Sequence, residues 1–388
     1  MADGGEPYRI RLANGVGSLA AEAWDACAGD GNPFLSHAFL TALEDSGSVG
    51  GNSGWSARPL LVEDANGRLL AAAPLYVKSH SYGEYVFDQG WAQAYERAGG
   101  RYYPKLLVAV PFTPVPGPRL LVRPGAEAAR AATLLVEGLV AVAKQLEVSS
   151  LHANFVGPED AAALGGAGFL LRHGHQYHWR NDAYADFEGF LGALTARKRK
   201  AIRKERREVA ESGIRLLRLT GQAIEPRHWA AFFRCYIATS EHKWGHPYLT
   251  RRFFELLGER MADRVMLVMA EDRGRPVAGA LNLIGRDRLY GRNWGCDGDY
   301  RFLHFEACYY QAVEFAIERG LAVVEAGAQG EHKIQRGYLP VETTSAHWIA
   351  DPRFRDAVAD FLRRETAAIR AEIAGLGEYS PFRKEGQG

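Results

Sequence analysis

Three segments of the first half of this chain return in the second half in the same order, and that repetition constrains the fold more than any single motif. Asn66-Gly67-Arg68-Leu69-Leu70-Ala71-Ala72-Ala73-Pro74-Leu75 is echoed by Arg273-Gly274-Arg275-Pro276-Val277-Ala278-Gly279-Ala280-Leu281-Asn282. Each reads as a glycine turn entering a strand, with another strand before it at Pro59–Glu63 or Val265–Glu271. Helical stretches, Ala126–Leu146 and Phe305–Arg319, then lead into β segments Ser149–Phe155 and Leu321–Ala326. Finally Gly168-Phe169-Leu170-Leu171 with Gln176-Tyr177-His178-Trp179 matches Gly337-Tyr338-Leu339-Pro340 with Ser345-Ala346-His347-Trp348. The expectation is an α/β protein (α+β, with a mixed sheet) built as a tandem duplication, its boundary near Asn181–Phe187. Residues 8–182 would form one domain and 183–355 the second, with a C-terminal helix and frayed tail over 356–388. A chain of 388 residues exceeds what one core usually supports, which agrees with two domains.

Bulk properties narrow the function classes. Hydrophobic content of 47% and charged content of 24% belong to an ordinary globular protein. A net charge of +1 excludes neither an RNA nor a phosphate partner. The four cysteines, Cys27, Cys235, Cys296 and Cys308, lack metal-ligand spacing, and His173, His175 and His178 have no acid or thiol at ligand distance along the chain. No metal site is expected, and free thiols suit a reduced, cytoplasmic setting. No apolar run reaches the length of a membrane span, and the N-terminus lacks the apolar core of a signal peptide.

Chemistry concentrates at Val324–Gly337, VEAGAQGEHKIQRG. A short apolar strand ends in Glu325, glycines bracket Gln329, and Glu331, His332, Lys333 and Arg336 follow within one or two helical turns. Strand ends opening into glycine turns are where α/β folds place ligands. Lys333 and Arg336, three apart, would face one way and suit a phosphate or carboxylate. Glu325, Glu331, His332 and His304 are candidate general bases, because an acid, imidazoles and cations are costly to bury idly. His304 and Glu306 open the amphipathic helix Phe302–Arg319, and the preceding strand, Leu289–Trp294, would deliver His304 beside Glu325. The first copy carries Leu151-His152-Ala153-Asn154-Phe155 at the matching place, without the acid and cation cluster. One half therefore reads as catalytic and the other as structural or substrate-gripping.

Thr195–Arg207, TARKRKAIRKERR, carries eight basic residues and one acid. Like charges three and four apart weaken an isolated helix, so this density calls for an anion, although a solvated surface helix has the same pattern. Lys198, Arg199, Lys200, Arg203 and Lys204 are the phosphate- or RNA-binding candidates. In the first half, Tyr76–Tyr95 and Arg101–Arg119 sustain no clean period and read as ordered loops. His80, Tyr82, Glu84 and Lys105 in them are candidate substrate contacts, with a surface-packed insertion as the competing reading.

Taken together, the second half resembles the GCN5-related N-acetyltransferase (GNAT) arrangement, and two such halves in tandem resemble the Fem-type peptidyltransferases. More closely, the chain resembles the FemAB-like predicted N-acyltransferases, described as peptidoglycan biosynthesis/recognition proteins. The residues that carry this are Asn32-Pro33-Phe34-Leu35-Ser36, His80-Ser81-Tyr82-Gly83-Glu84-Tyr85, Tyr102-Tyr103-Pro104-Lys105, Lys198-Arg199-Lys200 with Ile202-Arg203-Lys204-Glu205, His304-Phe305-Glu306 and Gly327–Gly337. The resemblance implies the fold and acyl transfer to an amine but not the substrate; the acceptor expected here is a primary amine, small or peptidic. Acetyl-CoA-dependent relatives cradle a pyrophosphate with a glycine-rich turn; the matching Gly295–His304 lacks the helix-opening glycine and carries Asp297 and Asp299. The expected donor is therefore aminoacyl-tRNA, as in Fem-type relatives, with no permanently bound cofactor and no DNA partner. Attack would be direct, with backbone N–H groups around Gln329-Gly330 serving the oxyanion. The alternatives are an acyl-CoA-dependent enzyme acting on a small amine and a non-catalytic binder of a peptide or cell-wall precursor.

Overall fold

In the computed structural model of the protein, residues 8–243, 247–327 and 330–383 are described. The first nine strands are Arg9–Leu12 (β1), Trp55–Ala57 (β2), Leu60–Glu63 (β3), Leu69–Ala73 (β4), Leu75–Lys78 (β5), Lys105–Val108 (β6), Leu121–Val122 (β7), Ser150–Val156 (β8) and Leu170–Arg180 (β9). Six more follow: Ile214–Thr220 (β10), Val265–Asp272 (β11), Arg275–Ile284 (β12), Arg288–Cys296 (β13), Val323–Glu325 (β14) and Leu339–Ile349 (β15).

Two compact units result. The first comprises the chain up to Gly174 with Thr343–Ile369, and the second comprises His175–Glu342 with the chain from Arg370. The chain thus leaves the first unit within β9 and returns to it within β15, so each unit borrows a strand end from the sequence of the other half. The mixed α/β class read from the sequence is what the structure has.

In the first unit, β1-β3-β4-β7 form one sheet, and β2-β5-β6-β8 continue to β15 in another. β6 and β8 are parallel, joined over the helix Ala128–Gln145, and β15 runs antiparallel to β8. That helix buries Ala131, Leu134, Leu135, Val136, Leu139 and Ala143, the apolar stripe of its sequence, against Leu106, Val108, Leu151 and Ala153. In the second unit the order is β10-β11-β12-β13-β14-β9. There β13 and β14 are the parallel pair, and β9 runs antiparallel to β14. Both units therefore hold a strand–helix–strand crossover, flanked by an antiparallel strand ending in His-Trp.

The helix between β13 and β14 is irregular. Leu303–Phe305 is α-helical, Glu306–Tyr310 is a π-turn, and Gln311–Glu318 resumes the α form. A π-turn widens the helix by one residue and often marks a functional site. It rests on Val324, Leu289, Trp179 and Tyr338 in the second core.

Two segments read as loops are in part regular: Leu75–Lys78 and Lys105–Val108 are strands and Gln89–Arg97 is a helix. Their buried charges break the period on which sequence reading relies. The tail is also held, since Phe382 pairs with Leu194 and the Thr195 N–H donates to Pro381 O at 2.9 Å. Residues 384–388 lie outside the described part.

Gly168 and Gly337, the matched glycines of the repeat, share a left-handed backbone, φ 87° and 88°. At Gly337 a Cβ would also come within 3.0 Å of the Phe190 ring. Gly337→Ala is expected to cost about 1–2 kcal/mol, lowering Tm by roughly 2–8 °C. A thermal melt showing no change would contradict this packing.

Candidate active site

β13 and β14 stay paired for only three positions, Arg288↔Val323, Leu289↔Val324 and Tyr290↔Glu325. Beyond them β13 continues along β12 with a register shift near Asn282, whereas the other chain turns away at Ala326. The strands part, and a cavity of about 380 Å³ opens there. His304, Cys308 and Tyr309 line one wall and His332 and Lys333 another, with Asn282, Gly291, Arg292 and Ala326 along the parted strands.

Lys333 is the keystone of this region. It lies in the 3-10 turn Glu331–Arg336, is buried, and its Nζ donates to Ala326 O at 2.5 Å and to Gly327 O at 3.3 Å. Gly327 O also accepts from the Tyr177 N–H at 3.2 Å, so the ammonium ties this turn to the carbonyls at the end of β14. Burial brings the Lys333 pKa down to about 8. His332 Nε2 stands 3.1 Å from the Tyr309 hydroxyl, and the His304 ring packs edge-on against Trp294 and Tyr309. The two imidazoles are 6.1 Å apart.

Other predicted site residues are placed differently. Glu325 is buried and is not in the cavity lining; Arg288 Nη1 donates to its Oε1 at 3.1 Å. Burial pushes its pKa up to about 7, with Arg288 pulling the other way. Alternation along β14 explains this, since Val324 faces the helix-side core and Glu325 the opposite face. Arg336 does not join Lys333: its Nη2 donates to Glu205 Oε1 at 2.7 Å, and its guanidinium lies 3.4 Å over Phe305. Glu306 is held by Arg206 at 3.1 Å and faces a second cavity of about 500 Å³. Glu331 is exposed, and Gln329 lies outside the described residues.

The basic helix runs Ala196–Glu211. Arg203 pairs with Glu188 at 2.5 Å and Lys204 with Glu208 at 3.6 Å. Among the described residues Lys198, Arg199 and Lys200 have no carboxylate partner. Its positive charge is thus concentrated at its first turns.

The first unit has its own charged cluster, away from the Leu151–Phe155 stretch in most of its members: it buries Lys78, Lys105, Glu84, Asp88, His152 and His347 together. Lys105 Nζ donates to Glu84 Oε2 at 2.8 Å, to Ser81 Oγ at 2.7 Å and to Asp88. Burial pushes Glu84 up to about 7 and Lys78 down to about 7. Burial also disfavours the Asp88 anion, but Lys105 and His152 outweigh it and hold the carboxyl well below its usual range. His152 and His347, register partners on β8 and β15, meet at Nδ1···Nδ1 2.6 Å. Glu84 and Lys105, offered by the sequence as substrate contacts, are thus buried on each other, with Lys78 and Asp88 from the same β5–β6 stretch. Of the other candidates there, Tyr82 is exposed and His80 half-buried, their rings 5.1 Å apart.

No curated protein matches the chain. Three solved structures share its architecture. FemX is 12% identical over 88% of this chain and 98% of its own, with a TM-score of 0.54. L-PGS from Bacillus licheniformis is 11% identical over 87% and 97%, at 0.51. The C-terminal domain of a putative lysylphosphatidylglycerol synthetase from Agrobacterium fabrum is 9% identical over 90% and 96%, at 0.55. At such identities the likeness establishes the fold. The class is that of the acyl-group transferases. The chain belongs to the FemAB-like family, described as peptidoglycan biosynthesis/recognition, whose pattern matches residues 15–384.

Two outcomes follow from the buried charges. Lys105→Met strands two buried carboxylates and should cost about 3–5 kcal/mol in denaturant unfolding. Lys78→Met, whose nearest carboxylate oxygen is 3.8 Å away, should cost clearly less; equal losses would contradict the assignment. Glu325, with its folded pKa raised, stabilises the fold most below pH 4.5 and loses that contribution as pH rises to about 7. The wild type should therefore lose on the order of 3 kcal/mol across that window relative to Glu325→Gln. Parallel stability–pH curves would refute the burial of Glu325.

Proposed function

We propose that this chain forms an amide by direct transfer of an aminoacyl group from tRNA to a primary amine of a peptide or cell-wall precursor. The observation that carries the proposal is the cavity at the parted strands, where two imidazoles and a lysine converge. The amine nitrogen attacks the ester carbonyl; the C–N bond forms as the ester C–O bond breaks. His304 or His332 takes the amine proton and returns it to the leaving oxygen. The Lys333 ammonium, fixed on two carbonyls, offsets negative charge developing on the carbonyl oxygen.

The donor choice is supported from two sides. Phe302 occupies the left-handed position ahead of the helix, φ 61°, and the Arg301 guanidinium stacks on its ring at 4.6 Å. A pyrophosphate cradle opens its helix with glycine, and Arg301 and Phe302 stand there instead. At the start of the basic helix, Lys198, Arg199 and Lys200 suit a polyanion. Among the described residues no helix is long and apolar enough to cross a membrane. The four free cysteines suit a cytoplasmic setting.

Aminoacyl-tRNA consumption by the purified protein, abolished by prior RNase treatment, is the expected result. Free-thiol release from an acyl-CoA panel would instead support the CoA-dependent reading, and binding without any turnover the non-catalytic one. Lys333→Ala should lower kcat by about 10²–10³-fold. Exchanging Lys198, Arg199 and Lys200 for Glu should raise KM for tRNA and flatten its salt dependence, with little change in kcat. A triple variant with wild-type KM would remove the helix from the donor site.

A further inference from the structure

One acid, Glu205, interrupts the basic segment Thr195–Arg207, where an anion weakens the attraction for a phosphate backbone. It follows Lys198 by seven residues and Ile202 by three, so the three share one face of the helix Ala196–Glu211. Ile202 buries that face in the second core, and Glu205 is carried inward beside it.

The two carboxylate oxygens of Glu205 reach elements of both cavity walls. Oε1 accepts from Arg336 Nη2 at 2.7 Å, and the same guanidinium donates through Nη1 to His332 O at 2.9 Å. Oε2 accepts from the hydroxyl of Tyr310, the residue after Tyr309 in the π-turn. His332 lines one wall, and Tyr309 and His304 line the other. The walls also touch directly, His332 Nε2 lying 3.1 Å from the Tyr309 hydroxyl and the Tyr338 hydroxyl donating to Tyr309 O at 3.2 Å. Those contacts lie between the walls, whereas the Glu205 bridge ties both of them to the basic helix. We infer that Glu205 is a positioning residue that fixes the spacing of the two imidazoles from the helix that receives the donor. This rests on the amide-forming reading above and adds to it the link between the donor helix and the acid–base groups.

The bridge depends on charge. The Arg336 and Glu205 side chains are 8% and 14% exposed, and the guanidinium lies 3.4 Å over the Phe305 ring. Burial, Arg197 and Arg336 lower the Lys198 pKa, so the lysine stands within the field of Arg336. Without the carboxylate, a largely buried guanidinium would face that lysine uncompensated. It would move toward solvent, release His332 O and free the Glu331–Arg336 turn to shift. Arg206, the next residue, still holds Glu306 at the start of the π-turn at 3.1 Å. The His304 wall would therefore stay in place while the His332 wall moved, which changes the separation of the imidazoles.

The test uses the full chain, aminoacyl-tRNA turnover, and the ring signal of His332 in histidine-labelled protein, assigned by its loss in His332→Gln. Glu205→Ala should lower kcat by about 10–100-fold and leave KM for the tRNA within about twofold of wild type. The His332 signal should move in that variant while its circular dichroism stays wild-type. Glu205→Gln keeps an acceptor for Arg336 and a donor for the Tyr310 oxygen, and should hold kcat within roughly threefold of wild type. Tyr310→Phe removes one arm of the bridge and keeps the ring, so it should lower kcat in the same sense with KM unchanged, even where Glu205→Ala does not fold. A raised KM with intact kcat, or an unmoved His332 signal in Glu205→Ala, would overturn the positioning role. RNase-sensitive turnover at the wild-type rate in Glu205→Ala would sink that role and leave the proposed function standing. A moved His332 signal in a protein without turnover would uphold the bridge and sink the function.

Discussion

The separation of β13 from β14 after Tyr290 and Glu325 is the constraint on which the second unit depends. Parallel strands that stay paired leave no room between them, and strands that part leave backbone carbonyls without partners. The Lys333 ammonium bonds Ala326 O and Gly327 O just past the parting point, where β9 also holds Gly327 O through the Tyr177 N–H. It keeps the gap open, places a positive charge inside it, and fixes the turn that carries His332. The π-turn on the other wall complements this, since the extra residue brings Cys308 and Tyr309 to the cavity. Fold and site are therefore one problem in this unit: the interaction that repairs the broken sheet also equips the crevice.

The two units use the same register positions for different chemistry. In the second, Glu325 faces His178 with one oxygen unpaired; in the first, His152 meets His347 directly. His152 also bonds Ser150 Oγ at 2.8 Å, and Tyr102 and Lys105 converge on Asp88. Such a buried ionic network is paid for by mutual pairing and gives rigidity more readily than reactivity. The loop it anchors carries Tyr82, Tyr85 and Phe87 outward. The first unit thus closes its buried charges on one another, whereas the second places His304, His332 and Lys333 along a cavity.

Much of the fold was legible in the sequence because it rests on periodicity. The hairpin β11–β12, the helix Ala128–Gln145 and the strand ending at Glu325 all carry apolar patterns that local rules recover. The site was legible only in part. Lys333, His304 and His332 stood out as charge and imidazole beside glycines, and the structure gathers them at one cavity. Arg336 and Glu306 looked equivalent in the sequence, but Glu205 and Arg206, distant along the chain, claim them. Glu325 depends on strand alternation at the very point where a three-residue strand offers too little pattern to assign a face. Arg288, which holds Glu325, needed the register of β13 on β14, which no local motif encodes. The strand exchange through β9 and β15 was invisible for the same reason, since spacing along the chain does not say which partner a strand end will take.

The central claim, that a nucleic-acid donor presents its reactive end at the parted strands, can be tested by affinity labelling. Periodate-oxidised tRNA carries a terminal dialdehyde that forms a reducible imine with a nearby lysine, and peptide mapping after borohydride reduction locates it. The account predicts the adduct on Lys333, competed away by intact aminoacyl-tRNA. Labelling confined to the first unit, or unchanged by competitor, would contradict it.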